Sequence, residues 1–287
     1  MKKVVILGCE NSHANTFLQF IKDGGYPEIE ITGVYSYDTE AANKLKEEFG
    51  VPVMSSFDEA VGKVDGIIVT ARHGDNHYKY AKPYIGTTPV MFIDKPITID
   101  EGESLEFMKQ LKENGVKVTG GSCCKHVDFI QELKQDRLND FEGKTLCGFV
   151  RAPVSLTNDY GNFFFYSQHL VEMVLEIYGH YPKSVKAYKN DCKITLVFRY
   201  EDYDITALYV EGSYHYYAAR YSFDGGKAGV VNIDPAFRAE FDEFYEILTG
   251  AEQKVKYKDF IAPVFVLNAI NRAIESGKEE IVTEFDV

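Results

Sequence analysis

The stretch Pro89-Val90-Met91-Phe92-Ile93-Asp94-Lys95-Pro96 decides how the chain folds. Its run of four apolar residues predicts a strand that is buried on both faces of a parallel sheet. Lys95 follows at the carboxyl end of this strand, the edge of an open α/β sheet where ligands bind. Pro96 disfavours a helical backbone at Lys95, so we expect the ammonium group to be held toward a bound substrate. A surface lysine in an ordinary loop is the alternative.

Residues 1–121 alternate apolar strands with amphipathic helices, a pattern that predicts parallel strands joined by crossover helices. We therefore expect a Rossmann-type, doubly wound parallel sheet in this part of the chain. Gly50 should end one helix, Thr98 and Glu101 should form a capping box, and Pro83 should shorten a helix. The six predicted strands are Val4 to Leu7, Ile29 to Tyr35, Val51 to Met54, Gly66 to Thr70, Val90 to Ile93 and Val116 to Thr119.

After Gly120-Gly121 the sequence changes to longer, alternating, tyrosine-rich strands with a few helices. Residues 122–287 are thus predicted to form an α+β domain, a mostly antiparallel open sheet covered by helices on one face. The uncovered face should be apolar, so we expect a homodimer or homotetramer through this sheet. The predicted strands are Thr145 to Val154, Ser184 to Tyr188, Lys193 to Tyr200, Asp204 to Val210, Tyr214 to Phe223 and Gly229 to Ile233.

The composition narrows the class of protein. The formal net charge of -13 argues against binding to nucleic acid, because phosphate backbones would be repelled. No apolar run approaches the roughly 20 residues that a membrane span requires, so no membrane partner is expected. The N-terminal residues predict a strand and lack a signal-peptide cleavage site, and the odd number of cysteines, five, favours reduced thiols. We expect a cytoplasmic protein.

The turn after the first strand, Gly8-Cys9-Glu10-Asn11-Ser12-His13, is where a dinucleotide-binding fold holds a pyrophosphate. Gly8 keeps the first glycine of that motif, whereas Glu10 occupies the position of the second. A carboxylate there should repel a phosphate and crowd its approach. Asn11 or Ser12 is expected to cap the following helix.

The second strand is followed by Ser36-Tyr37-Asp38, where an acidic residue would normally bind the adenosine ribose. Ser36 does not repel a 2'-phosphate and no arginine follows to attract one, so NAD and NADP remain equally open. Asp38 is expected to bind ribose or to cap the next helix.

The fourth predicted strand ends in Thr70-Ala71-Arg72-His73-Gly74-Asp75-Asn76-His77, a polar loop of the kind that lines ligand sites. Two histidines with an aspartate have no fixed metal geometry in such a loop, and Asn76 is expected to cap the next helix. Cys123, Cys124 and His126 are interpreted as structural residues. We predict no metal site.

A later helix carries His169 beside its buried stripe and Glu172 three residues on, on the same face. Glu172 would orient or acidify the imidazole, and His169 would exchange a proton near neutral pH. The alternative is a hydrogen-bonded structural histidine. In the preceding loop, Asn158, Asp159, Tyr160 and Asn162 suit a ligand rich in hydroxyl groups, or are ordinary turn formers.

Gly8, Asp94-Lys95-Pro96 and His169, in this order, resemble the glucose-fructose oxidoreductase, inositol dehydrogenase and MocA family nearly end to end. The resemblance implies a Rossmann domain, a C-terminal sheet for oligomerisation, and hydride transfer between NAD or NADP and a sugar, polyol or related alcohol. It also implies that Lys95 hydrogen-bonds the substrate hydroxyl and that His169 is the acid/base residue. Family members typically place an aspartate one turn before this histidine, and here Phe165 stands there.

The leading hypothesis is thus an NAD(P)-dependent oxidoreductase acting on a carbohydrate-like substrate. Glu10 and Phe165 motivate the alternative, a non-catalytic ligand-sensing or regulatory protein on the same fold, and elimination or epimerisation with a bound cofactor is a third possibility. The predicted catalytic residues are Lys95, His169 and Glu172, and the predicted cofactor-binding residues are Gly8, Glu10, Asn11, Ser12, Ser36, Tyr37, Thr70, Ala71, His73, His77, Asp94 and Lys95.

Overall fold

The computed structural model describes all 287 residues, which divide into two compact units. The first unit comprises Met1–Gly121, Arg238–Phe260 and Val287, and the second comprises Ser122–Phe237 and Ile261–Asp286. The change at residue 121 coincides with the predicted boundary. Residues 238–260, however, were expected in the second domain and instead return to the first.

Aromatic packing explains why this segment returns. Helix α7 (Ala236–Leu248) carries Phe241 and Phe244, both fully buried. The ring of Phe241 stacks on Phe17 with centroids 4.8 Å apart, and the ring of Phe244 meets Phe92 edge-on at 6.0 Å. Phe241 and Phe244 therefore belong to the core of the first unit.

The sheet of the first unit is parallel and has five strands, in the order β2-β1-β3-β4-β5. The predicted sixth strand, Val51 to Met54, forms only an isolated bridge between Val53 and Val34. Pro52 has no backbone N–H to offer a neighbouring strand, which limits pairing here. The strands are β1 (Lys2–Leu7), β2 (Ile29–Tyr35), β3 (Gly66–Val69), β4 (Val90–Asp94) and β5 (Lys117–Gly121).

Four crossover helices accompany this sheet: α1 (Ser12–Lys22), α2 (Thr39–Phe49), α3 (Asp75–Ala81) and α4 (Glu101–Glu113). Gly50 ends α2 in the left-handed conformation with φ 72°, as predicted. Pro83 lies in a 3-10 turn directly after α3, which confirms that it shortens this helix.

Two predicted helix caps are wrong. The N-cap of α4 is Asp100, whose carboxylate accepts a hydrogen bond from the Glu103 N–H at 2.7 Å, while the Thr98 hydroxyl donates to the Asp100 carbonyl. Asp100 replaces Thr98 because it immediately precedes the helix. Asn76 lies inside α3, which follows Gly74 and has no side-chain cap.

The second unit contains a seven-stranded sheet in the order β11-β10-β6-β9-β8-β7-β12, in which only the β6 and β9 pair is parallel. A short connection, residues 223–225, closes a hairpin, and the Ser222 N–H donates to the Gly225 carbonyl. The strands are β6 (Thr145–Val154), β7 (Ser184–Asn190), β8 (Lys193–Arg199), β9 (Asp204–Glu211), β10 (Tyr217–Ser222), β11 (Gly226–Val230) and β12 (Glu279–Ile281).

Three further helices are α5 (Asp128–Leu138), α6 (Phe164–Tyr178) and α8 (Tyr257–Ser276). Alternate residues of the central strands are fully buried, among them Ile194, Leu196 and Ile205, while their neighbours Val197 and Leu208 stay half-buried. This alternation agrees with a sheet covered on one face. None of the eight α-helices combines the length and apolar character that crossing a bilayer would need.

Candidate functional site

The turn between β1 and α1 is fastened to the ends of the neighbouring strands. The N–H groups of Gly8 and Cys9 donate to the carbonyl of Tyr35 at 2.8 and 3.1 Å, and the Thr70 hydroxyl donates to the Gly8 carbonyl at 3.1 Å. Gly8 has φ 76°, and a Cβ there would lie 2.5 Å from Ala71. Glycine is required here because the turn passes so close to the end of β3.

The Glu10 carboxylate points across the ends of β2 and β3. One oxygen, Oε2, accepts a hydrogen bond from the Ser36 hydroxyl at 2.7 Å, and the other accepts one from the Arg72 backbone N–H at 3.1 Å. The Ser36 oxygen in turn accepts from the N–H of Asp38. Glu10 therefore forms part of an ordered network that includes Ser36.

Asp94 joins the end of β4 to the start of α1. It is fully buried, and its Oδ2 lies 2.7 Å from His13 Nδ1 and accepts a 3.3 Å hydrogen bond from the Asn11 amide. Burial alone would raise the pKa of this carboxyl, but His13, Lys95 and His77 outweigh it and hold the pKa at about 2. Asp94 is therefore ionised throughout the neutral range.

Asn11, as expected, caps α1: its side-chain oxygen accepts from the His13 N–H, and the Ser12 hydroxyl donates to the same oxygen. Asp38 caps α2 by accepting from the Glu40 and Ala41 N–H groups, one of the two roles foreseen for it. Tyr37 is exposed and lies beside Ser36 at the carboxyl end of β2.

Lys95 directly follows β4 and is almost completely buried, with 3% of its surface exposed. Its backbone N–H donates to Asp94 Oδ1 at 2.7 Å, and its peptide bond to Pro96 is cis. A buried ammonium beside an ionised carboxylate is not an ordinary surface lysine. This burial argues against the loop-surface alternative.

Both histidines of the loop after β3 form hydrogen bonds within the chain. His77 is fully buried, and its Nε2–H donates to the Ala71 carbonyl at 2.7 Å. Burial, the largest influence, lowers the pKa of His77, against the opposing effects of Ala71 and Asp94. His73 is partly exposed, and its Nδ1 accepts from the Asp75 N–H. Neither His73 nor His77 belongs to a cluster of side chains that are close enough together to hold a metal ion.

His169 lies on α6, buried in the second unit. Its Nδ1 is 2.6 Å from the Ser122 hydroxyl and 3.5 Å from the Cys124 thiol, and the Tyr166 ring packs edge-on against it at 4.7 Å. The other ring nitrogen, Nε2, makes no hydrogen bond within the chain. One side of the imidazole is thus fixed, and the other can exchange a proton.

Glu172 does not make the expected direct contact with His169. Its Oε1 accepts from the Ser122 backbone N–H at 3.1 Å and from the Gln168 amide at 2.7 Å, and its Oε2 pairs with Lys125 at 3.4 Å. Helical spacing puts the two residues on one face, but Ser122 stands between them. Glu172 therefore acts on the imidazole only through the position of Ser122.

The thiols of Cys123 and Cys124 and a ring nitrogen of His169 all lie within 4.8 Å of one another. Burial alone would raise the pKa of Cys124, but hydrogen bonds from Cys123, His169 and Ser122 together with the charge of His169 hold the pKa well below its usual value. Cys123, Cys124 and His126 were interpreted as structural residues, and in the fold the two thiols lie beside His169 instead. All five cysteines are free thiols, as predicted.

The asparagine side chains of the loop before α6 form hydrogen bonds within the loop. The Asn158 side chain donates to the carbonyls of Ser155 and Asn162 and accepts from the N–H groups of Tyr160 and Asn162. Asn162 has φ 52°. Asn158 and Asn162 are therefore turn formers, as the alternative interpretation held. Phe165 packs its ring against Tyr160 at 5.1 Å.

Comparison with known families identifies the first unit. Residues 2–122 match the GFO_IDH_MocA model, an oxidoreductase family with an NAD-binding Rossmann fold. Over these residues the chain is similar to the Gfo/Idh/MocA oxidoreductase family. A comparison with curated proteins gave no significant match.

Solved structures share the fold over nearly the whole chain. A scyllo-inositol dehydrogenase from Lactobacillus casei with bound NAD(H) and scyllo-inositol aligns at TM-score 0.86 and 15% identity, covering 99% of this chain and 100% of that one. A myo-inositol 2-dehydrogenase from Lactobacillus plantarum aligns at TM-score 0.84 and 15% identity, over 98% and 99% of the two chains. GenD2 from gentamicin A biosynthesis, in complex with NAD, gives TM-score 0.85 and 14% identity, over 99% and 97%.

The chemistry of the first unit suits the dinucleotide of this Gfo/Idh/MocA family. The α1 N-terminus follows a glycine that lets the turn pass close to β3, and the Ser36 hydroxyl and Glu10 carboxylate stand at the end of β2. Helix N-terminal N–H groups favour phosphate, and a carboxylate accepts hydrogen bonds from ribose hydroxyls. These residues would hold the pyrophosphate and the adenosine ribose.

His77 predicts a specific pH dependence of stability. Because burial lowers its pKa in the folded chain, only the unfolded chain takes up a proton near pH 6.5. Above that pH His77 is neutral in both states and does not lower the free energy of unfolding. Below it, protonation of the unfolded chain lowers the free energy of unfolding, by up to about 1.4 kcal/mol at pH 5.5. The melting temperature of the wild type should therefore fall more between pH 7.5 and 5.5 than that of a His77→Gln variant. Equal falls would contradict a neutral buried His77.

Proposed function

We propose that the protein is an NAD(P)-dependent oxidoreductase that transfers a hydride between the nicotinamide cofactor and a sugar, a polyol or a related alcohol or ketone. The observation that carries this proposal is the state of His169, which is buried and tied at Nδ1 to Ser122 at 2.6 Å while Nε2 remains without a partner. A general base needs this arrangement of one fixed and one available nitrogen. The NAD-binding family of residues 2–122 supplies the redox chemistry.

In the proposed mechanism, His169 Nε2 accepts the hydroxyl proton of the substrate. This requires the other proton of the ring to sit on Nδ1, where it is donated to Ser122. Lys95 is assigned a hydrogen bond to the substrate hydroxyl, where its ammonium would stabilise developing negative charge. A bound oxidised nicotinamide would supply the acceptor for the hydride that leaves the carbinol carbon.

Ser122 and Glu172 supply the support that the missing aspartate gives elsewhere in the family. Phe165 cannot accept a hydrogen bond, so the imidazole needs another partner. The Ser122 hydroxyl bonds Nδ1, and Glu172 holds the Ser122 backbone N–H. We assign both as positioning residues, since neither touches the reacting atoms in this mechanism.

The alternative, a ligand-sensing protein without catalysis, is favoured by the same Phe165 and by Glu10 in the phosphate turn. Binding of NADH without turnover of any polyol or ketone would support it. The polyol substrate class rests on the neighbour that holds scyllo-inositol. A first substrate panel should therefore contain inositols, aldoses and their keto forms.

The five free thiols suit a reducing compartment, and we propose that the enzyme works in the cytoplasm. We also propose that the uncovered face of the second sheet joins two or four copies of the chain. On that face Thr195, Val197 and Leu208 are half-buried and Thr206 is exposed, with Val197 opposite Thr206 and Leu208 opposite Thr195. A partly apolar sheet face of this kind is stabilised when a second copy covers it.

Removing either proposed catalytic group should abolish most turnover. His169→Asn and Lys95→Ala are expected to lower kcat on the identified substrate by about 10²–10⁴-fold, the usual contribution of acid–base or alkoxide stabilisation. The exposed Lys109→Ala and His215→Asn variants serve as matched controls with unchanged kcat. NADH titration by fluorescence should show binding in all four. Full turnover in either catalytic variant would refute the mechanism.

Ser122→Ala should reduce kcat about tenfold with little change in KM, because the imidazole loses its orientation rather than its contact with substrate. The pH profile of kcat should shift as well, since the Nδ1 partner has changed. Ser122→Thr keeps the hydroxyl and should restore both kcat and its pH profile. A Ser122→Ala enzyme with a wild-type pH profile would show that the serine is only structural.

Val197→Arg should shift the protein toward a single chain in size-exclusion chromatography with light scattering, because the new charge would be buried by the partner copy. Leu138→Arg is the control, since Leu138 is an exposed residue of α5 and should leave the assembly intact. A wild-type protein with the mass of one chain would overturn the proposed interface.

A further inference from the structure

The end of β2 carries no acidic side chain directed at a ribose. Folds of this type normally place an aspartate or glutamate there, and its carboxylate accepts hydrogen bonds from the adenosine ribose hydroxyls. Here Ser36 follows the strand, and the carboxylate of Asp38, two residues on, is engaged in capping α2. A carboxylate must come from elsewhere if the ribose is to be bound in this way.

Glu10, in the turn after β1, brings a carboxylate to the end of β2. Its Oε2 lies 2.7 Å from the Ser36 hydroxyl oxygen, directly at the carboxyl end of β2, and the Arg72 N–H fixes Oε1 at 3.1 Å. The side chain is thus held at both oxygens, and each oxygen retains a lone pair. Glu10 forms no ion pair, so its negative charge is not neutralised by a lysine or arginine within hydrogen-bonding range.

The surroundings of Glu10 carry the same sign of charge. Burial, together with the negative charges of Glu10 and Asp38, raises the pKa of Cys9 to about 12. An added 2'-phosphate, which distinguishes NADP from NAD, would meet this negative potential. A free 2'-hydroxyl would instead donate a hydrogen bond to the carboxylate, and such charge-assisted bonds are the stronger kind.

We propose that Glu10 replaces the ribose-binding carboxylate normally supplied by β2 and makes the site selective for NAD(H) over NADP(H). Ser36 acts as its positioning partner. The proposal rests on the dinucleotide-binding role proposed above and adds the choice between the two cofactors. It also reverses the expectation from sequence that Glu10 opposes cofactor binding, because its carboxylate is directed to the end of β2.

Direct binding tests this selectivity without any substrate. NADH and NADPH are titrated separately into the wild-type protein, and binding is followed by the fluorescence of the reduced nicotinamide. The wild type should bind NADH at least about tenfold more tightly than NADPH. Glu10→Gln should weaken NADH binding about tenfold, since a charged acceptor becomes neutral. The difference in affinity between NADH and NADPH should therefore become smaller. Glu10→Ser combined with Ser36→Arg should move the preference toward NADPH.

The exposed Glu47→Gln variant is the control for net charge, because Glu47 lies on the solvent side of α2 and should leave both affinities unchanged. Melting temperatures without nucleotide verify that the Glu10 variants remain folded. Equal affinities of the wild type for the two nucleotides, or unchanged selectivity in Glu10→Gln, would overturn this proposal while the dinucleotide role stands. Binding of neither nucleotide to the wild type would overturn both.

Discussion

The buried carboxylate of Asp94 is the constraint on which the ligand edge of the first unit depends. It connects the end of β4 to the start of α1 through His13 and Asn11, and it also accepts the backbone N–H of Lys95. An ionised group without solvent is tolerated only when it is fully paired. One side chain therefore fixes both the turn after β1 and the backbone at Lys95.

Much of the fold could be predicted from sequence because its periodicities are local. Buried parallel strands are continuously apolar and the second sheet alternates, so element types followed from spacing alone. The return of α7 to the first unit could not be read in this way. The spacing of its phenylalanines indicates that the helix is buried. Only the packing of Phe241 on Phe17 shows that it is buried against the first unit.

The candidate sites show the same division between local and long-range information. Asn11 and Asp38 were recognised as caps because a cap and its helix are adjacent in sequence. Ser122 was missed because its contact with His169 spans 47 residues, and a serine after a strand carries no motif. Glu10 was recognised as a departure from the glycine-rich turn, but its direction depends on Ser36, which lies 26 residues away.

The discontinuous first unit has a consequence for the order of events during synthesis. When the ribosome has released residues 1–121, Phe17 and Phe92 still lack the aromatic partners that α7 provides. At about 5–20 residues per second, those partners emerge on the order of ten seconds later. The nascent Rossmann half must therefore pass through that interval with part of its apolar surface uncovered.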